Sequence, residues 1–89
     1  MFHNLLVVRP GSLEEVGQLS DKLAAQPDGM AKNYIPDSKQ ILFATALVGP
    51  NGKAELKFDA PREPGSYPYL CSFPGHWRIM QGTLIVETP

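Results

Sequence analysis

Cys71-Ser72-Phe73-Pro74-Gly75-His76-Trp77-Arg78-Ile79-Met80 is the stretch on which the reading of this chain turns. Within it stand the chain's single cysteine, one of its 2 histidines and one of its 3 methionines. A thiolate, an imidazole and a thioether are soft or borderline donors. With a second imidazole they make the trigonal two-histidine, one-cysteine set with a long axial methionine that suits copper. His3, the other histidine, is available to complete it. The spacings from Cys71 to His76 and from His76 to Met80 are short enough to wrap one ion. Pro74-Gly75 predicts a tight turn between them, because proline fixes one φ and glycine permits a positive one.

This loop resembles the C-terminal ligand loop of the cupredoxins, with the spacing of the azurin and auracyanin branch. The approach Pro64-Gly65-Ser66-Tyr67-Pro68-Tyr69-Leu70 is similar to that family too, as is His3-Asn4 followed by Leu5-Leu6-Val7-Val8. The resemblance implies a type 1 (blue) copper electron carrier that is not an enzyme. Its ligands would be His3, Cys71, His76 and Met80. It further implies that Asn4 ties the two ligand segments together and that the Phe73 amide donates to the cysteine sulfur. The Phe2 carbonyl stands where an extra axial contact would come. A redox partner such as a cytochrome or a copper oxidoreductase, and a periplasmic or extracellular home, follow from the same likeness.

The bulk numbers agree with a small folded domain. Eighty-nine residues predict one domain over 1–89, near the small end of what buries its own core. A hydrophobic share of 43% with a net charge of −1 excludes a disordered segment and leaves no basic footprint for nucleic acid. No run approaches the roughly 18 apolar residues of a membrane span. One cysteine makes no internal disulfide. Met1-Phe2-His3-Asn4 has neither the basic start nor the long apolar core of a signal peptide.

Taken in order, Leu5 to Val8 reads as a buried strand closed by Arg9-Pro10-Gly11. Ser12-Leu13-Glu14-Glu15 has the form of a capping box, and Leu13, Val16, Leu19 and Leu23 fall on one helical face. A helix is therefore expected from Leu13 to Ala25, stopped by Pro27-Asp28-Gly29. Residues 29–40 read as loop. Ile41 to Val48 reads as a strand, and Gly49-Pro50-Asn51-Gly52 as a turn whose Asn-Gly suits a hairpin. The alternation of Ala54, Leu56 and Phe58 with Glu55 and Lys57 predicts the returning strand. Tyr67, Tyr69 and Cys71 share a face of the next strand, and Gly82 to Glu87 closes the sheet.

The fold expected is all-β: a small cupredoxin-like Greek-key β-sandwich with one inserted α-helix, truncated at its N-terminus. Family members place two or three strands before the first ligand histidine, which here is the third residue. The chain is accordingly expected to be a fragment of a longer protein, or to have half its core covered by another chain or a rearranged sheet. Apolar surface left over in this way predicts a homodimer or strand exchange.

Rival readings use the same residues. A free Met1 amine with Met1-Phe2-His3 has the form of a square-planar Cu(II) or Ni(II) site, which needs neither Cys71 nor Met80. Zinc on His3, Cys71 and His76 lacks paired cysteines and gives Met80 no role. A dinuclear copper centre would need a second cysteine in the loop. Cys71 with His76 as base comes with no oxyanion-hole signal. A metal-free structural sandwich is the non-redox competitor. An apolar patch of Phe73, Pro74, His76 and Trp77 is expected to dock the partner, with Trp77 alternatively a lid over the core.

Overall fold

The computed structural model describes residues 1–88. Strand β1 spans Leu6–Val8, helix α1 Leu13–Ala24, β2 Ile41–Ala44, β3 Gly65–Leu70 and β4 Gln81–Val86. The strands form one antiparallel sheet ordered β2-β1-β3-β4. β1 is thus central, pairing Leu6 with Ala44 on one side and with Leu70 on the other. Its pairing partners lie 33 to 38 positions away in β2 and 62 to 64 in β3, which is why a three-residue strand holds together only as part of the whole sheet.

The first residues of β1 explain the core. Leu6 and Val8 point to one face and pack with Leu70, Val16 of α1 and Trp77; Leu13, Ile35, Ile41 and Ala44 close around them. Val7 points the other way and is also buried. That second face is covered more thinly. Phe43 stacks on Phe58 at 4.4 Å between ring centroids, yet Phe58 stays 38% and Tyr69 37% exposed. An open groove of about 690 Å³ runs beside it, lined by His3, Leu5, Thr45, Val48, Leu56 and Phe58 among others.

The mostly β architecture with one inserted helix is as expected, and α1 ends one residue before the predicted Ala25. Three local expectations need correction. The capping box does not form: Ser12 makes no side-chain hydrogen bond to the helix start. Its ψ of 3° lies outside the extended region from which a capping side chain turns back onto the first amides. The helix begins on its backbone instead, the Val16 N–H donating to the Ser12 carbonyl at 3.0 Å.

The strand predicted over Ile41 to Val48 stops at Ala44. Side chains intercept its ladder. Thr45 Oγ1 accepts the Leu5 N–H at 3.0 Å, and Asn33 Oδ1 accepts the Leu47 N–H at 3.1 Å. Val48 then makes an isolated antiparallel bridge to His3.

The hairpin after it is also absent, and 54–58 is not a strand. The turn itself forms, with the Gly52 N–H on the Gly49 carbonyl at 2.9 Å. Its centre, however, is Pro50-Asn51, with only Asn51 at positive φ (62°). A hairpin turn on Asn-Gly needs positive φ at both residues, and the turn adopted here splays its flanks apart.

Candidate metal centre

Two segments far apart in sequence meet at one end of the sheet. The first is held by the bridge: the His3 N–H donates to the Val48 carbonyl at 3.0 Å, and the Val48 N–H to the His3 carbonyl at 2.8 Å. A residue so near the chain start would fray unless tied in this way. The second is the loop after β3. Its turn is the expected one, the His76 N–H bonding the Phe73 carbonyl at 3.0 Å with Gly75 at φ 83°. The loop closes on itself where the Cys71 N–H reaches the Met80 carbonyl at 3.0 Å. The Met80 N–H in turn bonds the His76 carbonyl at 2.8 Å.

Asn4 joins the two segments through its side-chain amide. Its Nδ2 donates to Ser72 Oγ at 2.8 Å and to the Asn33 carbonyl at 2.9 Å, while its Oδ1 accepts the Ser72 N–H at 2.8 Å. Ser72 Oγ then donates to the Tyr34 carbonyl at 2.6 Å. Ser72, Asn33 and Tyr34 were not singled out in the sequence. Asn33 and Tyr34 both sit at positive φ (56° and 52°). An asparagine after a short helical turn was the one available sign, since asparagine tolerates that conformation better than most residues.

The result is a cluster of His3, Cys71 and His76 whose ligand atoms all lie within 4.8 Å of one another. Cys71 Sγ stands 3.5 Å from His76 Nδ1 and 3.8 Å from His3 Nδ1. A sulfur and a nitrogen bound to one ion at about 2.3 and 2.0–2.1 Å, some 120° apart, would stand about 3.8 Å from each other. The separations in this chain fit a shared first-row ion. Cys71 and His76 are 5% and 7% exposed, and His3 is exposed. Burial, the facing His3 and the N-terminal amine hold the His76 pKa below its ordinary 6.5. The neutral imidazole, the form that binds metal, is therefore favoured.

Met80, itself 38% exposed, lines a small cavity of about 270 Å³ with Cys71 and Asn4. The aromatic surround is shared. Phe73 lies 5.0 Å from the His76 ring, edge-on to Tyr34 at 5.5 Å and stacked on Phe2 at 6.2 Å. Trp77 corrects the docking-patch expectation. It is 4% exposed and covers Gly17 of α1, where an added Cβ would overlap its ring. Of the two readings of Trp77, the lid over the core is the one that forms. Ile79, which the sequence did not flag, is 81% exposed.

The square-planar alternative at Met1-Phe2-His3 requires the His3 amide nitrogen to lose its proton and bind metal. That N–H is already committed to the Val48 carbonyl at 3.0 Å. Such a site would have to break the bridge that anchors the chain start.

A buried thiol facing two imidazoles, on a small antiparallel sheet with one helix, is the donor combination that suits a type 1 copper site. Residues 1–87 match the plastocyanin/azurin family of copper binding proteins, and the chain belongs to that family. It is 38% identical over 86 residues to auracyanin-A of Chloroflexus aurantiacus, covering 96% of this chain and 51% of that protein. It is 31% identical over 90 residues to azurin of Pseudomonas aeruginosa, covering 98% and 57%. Among solved structures, an azurin (Az-iso2) from Methylomonas sp. strain J superposes with a TM-score of 0.80 at 27% identity, over 99% of this chain and 67% of the other. Auracyanin A of Chloroflexus aurantiacus gives 0.73 at 33% identity, over 98% and 68%. The chain thus spans between half and two thirds of the length of these curated relatives.

Proposed function

We propose that the chain is a blue-copper electron carrier, in which His3, Cys71, His76 and Met80 would hold the ion. Bound copper would supply a one-electron couple, alternating between Cu(I) and Cu(II). The observation that carries this reading is the convergence of one thiol and two imidazoles within 4.8 Å, two of the three residues being buried. Both histidines present Nδ1 to the sulfur.

The chain's own residues support the role. Asn4 and Ser72 hold the His3 and Cys71 segments at a fixed separation. A donor set that is already assembled changes little when the charge at its centre changes by one. The Phe73 N–H is the donor proposed for the thiolate, and the Phe2 carbonyl the further contact that the ion would take. Four protein donors leave no position open for a substrate, whereas a catalytic metal keeps one open. This chain by itself is accordingly read as a carrier rather than an enzyme.

Electrons would pass at the edge of His76. Around it Phe73 and Pro74 are half-buried and Gly75 is exposed, a partly apolar rim. Such a rim suits a transient interface of less than about 1,200 Å² with a redox protein such as a cytochrome or a copper oxidoreductase. Among the described residues no helix is long and apolar enough to cross a membrane. Kinship to azurins and auracyanins supports a periplasmic or extracellular setting. The groove beside Leu5, Leu56 and Phe58 supports association of the 89-residue chain with a second copy that covers it.

The test is electron exchange. Copper-loaded protein mixed with a stoichiometric one-electron reductant should lose its visible colour and regain it on reoxidation through several cycles. Colour that does not respond, or copper lost in the first cycle, would contradict the carrier role.

A further inference from the structure

Helix α1 reaches the ligand loop through one carboxylate. Asp21 Oδ1 accepts the indole N–H of Trp77 at 3.0 Å, and Asp21 Oδ2 accepts from Arg78 Nη2 at 3.0 Å. Arg78 in turn lies over the Trp77 ring, 4.5 Å from its centroid. Trp77 and Arg78 directly follow His76, and the next two residues are folded back on that histidine. The Ile79 and Met80 N–H groups both donate to the His76 carbonyl, at 3.1 and 2.8 Å. The whole segment between the histidine and methionine donors is therefore pinned to a helix that holds neither.

On the copper reading above, we propose that Asp21 is a positioning residue for the metal loop. Through the Trp77 indole it fixes where the segment from His76 to Met80 stands. A weak, long thioether contact has little power to orient itself, so its distance must be imposed by the backbone that carries it. The two partners of Asp21 are unequal. The Arg78 pair is exposed, with side chains 62% and 40% accessible, and water screens it. The Trp77 bond is charge-assisted, and its donor belongs to a residue only 4% exposed. The indole bond carries the constraint, so an uncharged acceptor of the same shape should preserve it.

The experiment compares Asp21→Ala with Asp21→Asn. In metal-free protein, Asp21→Ala should speed amide hydrogen exchange at Ile79 and Met80 about tenfold relative to the β1 amides. In copper-loaded protein it should change the ratio of Cu(II) to Cu(I) dissociation constants by about tenfold, the low end for a residue acting behind the ligands. Such a change corresponds to about 59 mV in a one-electron potential. Asp21→Asn should restore both to near wild type. If Asp21→Ala lowers only the urea midpoint and leaves both readouts unmoved, Asp21 merely stabilises the fold and the proposal is overturned. It is equally overturned if Asp21→Asn behaves as Asp21→Ala does. Should Asp21→Ala fail to fold, Trp77→Phe removes the same hydrogen bond while keeping an aromatic ring there, and must reproduce both shifts. Wild-type protein that takes up no copper would sink the carrier reading, while amide exchange in the metal-free chain would still decide the role of Asp21.

Discussion

Asn4 and Ser72, 68 positions apart, hold each other by two hydrogen bonds of 2.8 Å, amide to hydroxyl one way and backbone N–H to amide oxygen the other. Both are almost fully buried, at 8% and 1% exposure. Each lies next to a donor of the metal cluster, Asn4 beside His3 and Ser72 beside Cys71. Whatever separates this pair separates the histidine from the thiol.

Replacing Asn4 by Ala strands the buried Ser72 N–H and takes a donor from the carbonyl of half-buried Asn33. Each net hydrogen bond is worth about 1 kcal/mol, and an unsatisfied buried group costs about 1–3 kcal/mol more. Asn4→Ala should therefore lower the unfolding free energy of the metal-free chain by about 2–4 kcal/mol in urea titrations. A loss under about 0.5 kcal/mol would mean that water replaces the clamp without cost.

Gly17 separates two opposed effects. Alanine is favoured over glycine inside a helix by about 1 kcal/mol, so propensity alone predicts that Gly17→Ala stabilises. Its Cβ, however, would overlap the six-membered ring of Trp77, and overpacking typically costs about 1–3 kcal/mol. The indole cannot swing aside while its N–H stays on Asp21. Net destabilisation is expected in thermal unfolding, with a blunted tryptophan signal. A raised Tm would show that Trp77 has room to move.

The His76 pKa gives a signed pH dependence for the metal-free chain. It lies below 6.5 when folded, through burial first and then through His3 and the N-terminal amine. The unfolded chain thus takes up this proton more readily than the folded one. Stability is then full above about pH 6.5 and falls as pH drops from there toward the folded pKa, where the loss levels off. Urea midpoints of wild type against His76→Gln between pH 8 and 5 check this. The difference between the two should grow on acidification, and a slope of the opposite sign would contradict the assignment.

The exposed second face gives a prediction about mass. Phe58, which lines the groove, and Tyr69 are each more than a third exposed, and apolar area left wet forgoes about 25 cal/mol per Å². Light scattering on the 89-residue chain should give twice the chain mass at micromolar concentrations, and Phe58→Asp should return it to one. A single-chain mass at all concentrations would mean that the groove stays open.

How much of this was legible in the sequence depends on the range of the interaction concerned. The turn between Cys71 and His76 was readable because it is local: Pro74-Gly75 and the short spacing bring the thiol and the imidazole together. The α1 stripe was readable for the same reason. The truncation of β2 was not, because it depends on Asn33 capturing the Leu47 amide, a bond between segments 14 positions apart. The strand predicted over residues 54–58 failed because alternation reports which side chains are apolar, not whether a ladder partner lies alongside. Trp77 read equally as docking patch or as lid over the core, because the sequence does not show that the bare Cα of Gly17 leaves room for its ring.

The most direct test of the central claim is one equivalent of Cu(II) added to the reduced chain, followed by visible and electron paramagnetic resonance spectra, with Cys71→Ser beside it. The account predicts an intense blue band and a small copper hyperfine splitting in wild type, both lost in Cys71→Ser. A pale solution with a wide hyperfine splitting, the same with and without the cysteine, would place the ion elsewhere and contradict it.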